Sequence, residues 1–65
     1  MDDKLLKLEQ VEDITGLKKS ALYELIDINE FPNSISVGKG KRAKRWPNSK
    51  IQEWIKRQIQ MAEAV

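Results

Sequence analysis

Sixty-five residues leave room for one domain and one small core, covering residues 1–65 as a single unit. The chain holds no cysteine and no histidine, which excludes disulfide staples, thiolate metal sites and an imidazole base or ligand. Its formal net charge of +2 hides a segregation: residues 1–37 carry four basic groups against eight acidic ones, whereas residues 38–57 carry eight basic groups against Glu53 alone. A charge asymmetry of this size in so short a chain points to a polyanionic partner. No stretch approaches a membrane span, and the acidic start MDDKLLKL is unlike a signal peptide. The expected setting is therefore cytoplasmic, with no membrane partner.

In chain order, residues 1–7 read as a frayed or extended lead-in, with Leu5, Leu6 and Leu8 available to cover a core. Val11 and Ile14 have the i, i+3 spacing of a short helix over residues 9–15. Gly16 then closes that helix, because glycine accepts positive φ without a Cβ clash. A second helix is predicted over residues 18–28. Leu22, Leu25 and Ile26 form its apolar side, and Lys19, Ser20, Tyr23, Glu24 and Asp27 its other side. Asn29 is placed to act as a left-handed cap, and Phe31-Pro32 ends the helix.

The alternation Ser34-Ile35-Ser36-Val37 predicts a short strand, and residues 42–46 the returning one, around a turn at Gly38-Lys39-Gly40-Lys41. Pro47 terminates the return strand, since it cannot donate to a ladder. Asn48 or Ser49 is expected to cap a last helix, with Gln52 three residues after Ser49 as in a capping box. Ile51, Trp54, Ile55, Ile59 and Ala62 mark its apolar stripe. The predicted order is helix, helix, hairpin, helix: a mostly helical α+β chain of winged helix-turn-helix type.

Two short helices joined by a glycine turn suit a helix-turn-helix, whose second helix enters the major groove with its N-terminal residues at the base edges. Here those residues are Lys18, Lys19, Ser20 and Ala21, followed by Tyr23 and Glu24 on the exposed side. Lysine and serine reach base edges or phosphates, and alanine can meet a thymine methyl. Two lysines at a helix start oppose the macrodipole, a conflict that a phosphate would relieve. The hairpin adds Lys39, Lys41, Arg42, Lys44 and Arg45, five cations within residues 39–45. Their mutual repulsion is offset if they lie along a phosphate rail or enter a minor groove, for which the arginines are best suited. Trp46 and Trp54 are assigned to the core rather than to base stacking.

The segment LLKLEQVEDITGLKKSALYELIDINEFPNSISVG, with RAKRW and IQEWI after it, resembles the AlpA-like regulators of phage and prophage origin. The resemblance covers about residues 5–57. It implies a winged helix-turn-helix related to excisionases. It also implies a role as a transcriptional regulator or as a recombination directionality factor that bends attachment-site DNA. Carried over, the major-groove helix falls on Lys18, Lys19, Ser20, Ala21, Tyr23 and Glu24. The wing arginine falls on Arg42, and the two tryptophans on Trp46 and Trp54. Two departures stand out. The hairpin tip is longer than the usual tight form, so the wing either reaches further or orders only on DNA. Lys44 stands where an apolar residue is common, so either the strand bulges or Lys44 snorkels outward, which weakens the placement of Arg45 on the DNA face.

Double-stranded DNA is the expected partner, with an integrase or recombinase, RNA polymerase, or a second copy bound as a dimer or on tandem sites beside it. No cofactor, metal or catalytic residue is expected. The acids Asp2, Asp3, Glu9, Glu12 and Asp13 fall on an exposed helix face and a loose terminus rather than in a cleft. The alternative is a protein-interaction adaptor docking through its acidic first half or through the apolar tail Ile55, Ile59, Met61 and Val65.

Overall fold

A computed structural model of the chain describes residues 3–64. The elements are β1 (Leu5–Leu6), α1 (Leu8–Thr15), α2 (Lys19–Asp27), β2 (Ile35–Val37), β3 (Ala43–Pro47) and α3 (Asn48–Glu63), with a 3-10 turn at Lys39–Lys41 between β2 and β3. The three strands form an antiparallel sheet in the order β1-β3-β2. This is the expected α+β winged helix-turn-helix, with one strand that the sequence pattern did not give. Of the two forms expected for the lead-in, frayed or extended, Leu5 and Leu6 take the extended one and pair with Pro47 and Trp46. Met1 and Asp2 lie outside the described residues.

The helix ends follow local chemistry closely. Lys7 N–H donates to Gln10 Oε1 at 2.8 Å, half of a capping box, which fixes the start of α1. At its other end Gly16 sits at φ 75°, ψ 7°, and its N–H reaches the Glu12 carbonyl. Thr15 Oγ1 donates to the Val11 carbonyl at 2.7 Å and accepts from Leu17 N–H at 3.3 Å. Residues 16–18 thus form a tight, hydrogen-bonded turn of the length a helix-turn-helix uses. After α2, Asn29 adopts φ 59°, as expected of a left-handed cap. Glu30 N–H bonds to the Leu25 carbonyl at 2.8 Å and Asn29 N–H to the Ile26 carbonyl at 3.1 Å, the crossed pair of a Schellman motif.

The start of α3 departs from expectation. Asn48 is its first residue, and the Ser49–Gln52 capping box does not form. The cap comes from 46 residues upstream, where Asp3 accepts from Ser49 N–H at 2.9 Å and from the Ser49 hydroxyl at 2.5 Å. Beside it Asn48 N–H bonds to the Lys4 carbonyl at 2.7 Å. Asp3 is therefore no loose acid: a carboxylate at a helix N-terminus is favoured by both the free N–H groups and the dipole. The Ser49 hydroxyl, then its backbone N–H, hold the Asp3 carboxyl below the usual carboxylate range.

Every helix and strand except β2 gives one side chain to the buried centre: Leu6, Val11, Leu22, Trp46 and Ile51, with Phe31 from the loop after α2. Leu8, Leu17, Leu25, Ile26, Trp54 and Ile55 pack around these. Trp46 is a core residue, as expected, and Trp54 is half-buried against the edge of the core. Trp46 is 1 % exposed, and its indole N–H donates to the Pro32 carbonyl at 2.9 Å. Trp54 N–H donates to the Glu30 carbonyl at 2.7 Å, while its ring meets Phe31 edge-on at 4.8 Å. The apolar stripe of α3 is only partly used. Ile51 and Ile55 pack inward, but Ile59 is 52 % exposed and Ala62 is open to solvent.

Replacing Trp46 should test this centre directly. Trp46→Ala is expected to cost about 3–5 kcal/mol, enough to unfold a chain this small. Trp46→Phe should cost less, about 1–3 kcal/mol, because it keeps most of the packing but leaves the Pro32 carbonyl without its donor. Urea unfolding followed by circular dichroism measures both. A second expectation concerns pH. Because the folded state lowers the Asp3 pKa, the stability it contributes is present above the ordinary carboxylate pKa of about 4 and is lost as pH falls through the lower folded value. The stability gap between the natural chain and Asp3→Asn should therefore shrink on acidification. A gap that stays constant down to the acid limit contradicts the cap.

Candidate nucleic-acid interface

Helix α2 exposes one continuous face. Lys19, Ser20, Tyr23, Glu24 and Asp27 are all open to solvent, because Leu22 is buried and Leu25 and Ile26 are turned toward the core. Tyr23 lies on this face at 38 % exposure rather than sealing a core edge. The helix begins at Lys19, one residue later than predicted, and ends at Asp27, with Lys18 as N-cap and Ile28 as C-cap. Ala21 is half-buried, on the flank between Glu24 and Leu25, so its methyl is less available than the sequence placement assumed.

The N-terminus of α2 differs from the other two. Helix α1 has Glu9 in its first turn and α3 receives Asp3 on Ser49, whereas α2 has neither a side-chain cap nor a first-turn acid. The first-turn N–H groups thus have no side-chain cap, and the exposed Lys18 and Lys19 stand at the same helix start. Backbone donors and positive charge at a helix start form an arrangement suited to a phosphate oxygen.

The second cationic group sits on the hairpin. The β2–β3 ladder runs unbroken through Ile35↔Arg45, Ser36↔Lys44 and Val37↔Ala43. There is no bulge, so of the two expected outcomes for Lys44 the strand takes the second. Lys44 shares a sheet face with Trp46 but lies farther out, where it is exposed. The return strand starts at Ala43 and includes Pro47, so Arg42 belongs to the tip rather than the strand. Lys39, Lys41 and Arg42 are exposed there, and Arg42 lays its side chain over Gly40. Arg45 is half-buried on the opposite sheet face, opposite Ile35, with Nη1 donating to the Lys44 carbonyl at 2.8 Å. It is less free than a wing-tip arginine, as the spacing of Lys44 and Trp46 warned.

Two backbone positions shape this tip. Gly38 has φ 83°, ψ −178°, a region essentially restricted to glycine. Lys41 has φ 50°, the left-handed region, although it carries a side chain. Its N–H closes the turn on the Gly38 carbonyl at 3.0 Å. The chain therefore sustains a strained lysine at the tip of its most cationic loop.

Among the described residues the ion pair present is Arg57–Glu53 at 3.9 Å, on α3. None of Lys18, Lys19, Lys39, Lys41, Arg42, Lys44 and Arg45 forms an ion pair there, although Lys18 lines a surface groove with Glu9, Glu12 and Asp13. No cluster of His, Cys, Asp or Glu suited to a metal occurs among these residues, and no helix is long and apolar enough to cross a membrane.

The profile of the family described as Prophage CP4-57 regulatory protein (AlpA) matches residues 4–59. The chain belongs to the AlpA family. It is thus a member of a phage regulatory protein family, as the resemblance implied. A relative from Enterobacteria phage P4, named "Uncharacterized protein ORF88", is 36 % identical over 53 residues. That match takes in 82 % of this chain and 58 % of the relative, so this AlpA-family chain spans little more than half the relative's length. No solved structure matches significantly. The matched residues run from the strand pairing at β1 through the wing and well into α3.

Two substitutions separate the geometry of the tip from its charge. Lys41→Gly should raise stability by about 1 kcal/mol, since glycine adopts positive φ without the Cβ penalty. Gly38→Ala should lower it by about 1–3 kcal/mol. Thermal unfolding of the two variants checks both signs.

Proposed function

We propose that this AlpA-family chain binds double-stranded DNA in a sequence-dependent way, with α2 in the major groove and the wing on the backbone or in a minor groove. In this reading it regulates phage or prophage transcription, assists a recombinase as an excisionase-type directionality factor, or does both. The observation that carries it is the set of cations that form no ion pair among the described residues, divided between the start of α2 and the wing. Lysines at 18 and 19 beside free helix donors suit one phosphate, and the exposed Lys19, Ser20, Tyr23 and Glu24 supply side chains that can discriminate bases. Lys39, Lys41, Arg42 and Lys44 supply backbone contacts, with Arg45 as a shorter-reaching contributor. Ala21 is left a minor role, a methyl contact at the edge of the α2 face.

The reading requires α2 and the wing to bear on one duplex. The five wing cations should make log K fall with log salt at a slope of about −4 to −5. Lys41→Ala with Arg42→Ala should flatten that slope by about 2 and weaken all sequences alike. Lys19→Ala or Ser20→Ala should instead change base preference, by about 1–3 kcal/mol at the affected position. Selection from a random duplex pool, followed by titration at several salt concentrations, measures these effects. Binding that is absent at low salt, or a slope unchanged by the wing substitutions, rejects the proposal in favour of a protein-directed adaptor. A bending assay on the selected site then separates a directionality factor, which bends its DNA, from a simple operator binder.

A further inference from the structure

Helix α3 is longer than the body it packs against. Its first two turns bury Ile51 and pack Trp54 and Ile55, but the same stripe continues beyond the core. Ile55, Ile59 and Ala62 recur at i, i+4, i+7, and on this overhang Ile59 is 52 % exposed and Ala62 is open to solvent. An apolar stripe at this period on a helix marks a face that seeks another surface.

The charges beside the stripe specify what covers it. Lys56 follows Ile55 by one position and Glu63 follows Ala62 by one, so both lie on the same flank of the seam. Neither is engaged in an ion pair among the described residues; the pair on α3, Arg57–Glu53, involves neither of them. When two identical helices pack antiparallel, the two-fold axis carries each flank onto the same flank of the partner. A residue at one height then faces the residue equally far on the other side of the axis. With the axis between Ile59 and Gln60, Lys56 meets Glu63 of the second copy and Glu63 meets its Lys56. The flank is self-complementary only in this antiparallel arrangement, and the axis falls in the middle of the exposed overhang. Charges flanking an apolar seam set partner choice and orientation in helix pairs.

We infer that the overhanging half of α3 docks on a second copy of this chain, as an antiparallel helix pair sealed by Ile59 and Ala62 where the stripe leaves the core and flanked by two Lys56–Glu63 ion pairs. The surface is small, so the association is weak and rises with concentration. The inference does not rest on the DNA-binding reading; if both hold, the pair presents two α2 helices related by a two-fold axis and therefore reads inverted half-sites.

Sedimentation equilibrium of the full chain, extended to millimolar concentration without DNA, tests it. A monomer–dimer equilibrium is expected, abolished by Ile59→Asp. Lys56→Glu and Glu63→Lys, each of which sets like charges against each other, should raise the dissociation constant about tenfold. The double variant K56E/E63K exchanges the two charges and should restore it. These positions are exposed, and circular dichroism verifies that each variant remains folded. If Ile59→Asp does not fold, the charge-exchange set alone decides. A chain that stays monomeric throughout, or a double variant no tighter than the single ones, overturns the inference.

Discussion

Two indole N–H groups hold this fold together from opposite sides of one short loop. Trp46 on β3 donates to the Pro32 carbonyl, and Trp54 on α3 donates to the Glu30 carbonyl. Between those carbonyls Phe31 turns inward and meets the Trp54 ring. Without Trp46 the part-buried Pro32 carbonyl would have poor access to water, at a cost comparable to a lost hydrogen bond, whereas the Glu30 carbonyl is exposed. The loop leads from the end of α2 to the start of β2, so its grip fixes both groups of exposed cations relative to the sheet and α3. The Schellman closure at Asn29 completes the arrangement by finishing α2 just before the clamp begins.

The wing is built on a different principle. β2 adds no side chain to the buried centre, and its attachment is the ladder to β3 together with a tip set by Gly38 and the left-handed Lys41. Because apolar packing contributes little there, positive charge can gather on the hairpin without disturbing the core. The strained lysine also has a physical meaning. A glycine at that position would relax the turn, so the retained side chain adds a cation at the cost of about 1 kcal/mol of local stability. Elements with few buried contacts open at lower free energy than the core.

Legibility in the sequence followed the range of the interactions. The caps at Gly16 and Asn29, the α2 face and the inward packing of Trp46 and Trp54 were all readable, because each depends on residues within a turn or two of one another or on a repeating apolar period. β1 was not. Two leucines in succession show no alternation, and only pairing with Trp46 and Pro47 defines them as a strand. The cap on α3 escaped for the same reason. Ser49 and Gln52 offered a plausible local answer, but Asp3, a neighbour of β1, supplies a full negative charge to the same donors. A charge-assisted bond outcompetes a neutral hydroxyl at a helix N-terminus. Within the candidate interface, the identity of the cations was plain, but their freedom was not. Arg45 folds back on the Lys44 carbonyl and Ala21 slips toward the core flank, neither of which a residue count could reveal.

The two missed features are one device. Asp3 can reach Ser49 because β1 runs antiparallel to the end of β3, which delivers the N-terminal segment to the point where β3 becomes α3. Asn48 N–H on the Lys4 carbonyl extends the same seam by one more bond. Pro47 suits this junction: its fixed φ near −60° carries the chain from strand to helix, and it lacks an N–H that would compete there. The acid therefore ties the segment leading into β1 to the start of the longest helix, closing the body on the side of the sheet away from the wing. Acidic charge in the first half and basic charge in the second is thus more than a segregation of surfaces. One of those acids completes a helix in the basic half, while the cations it does not neutralise remain available to a partner.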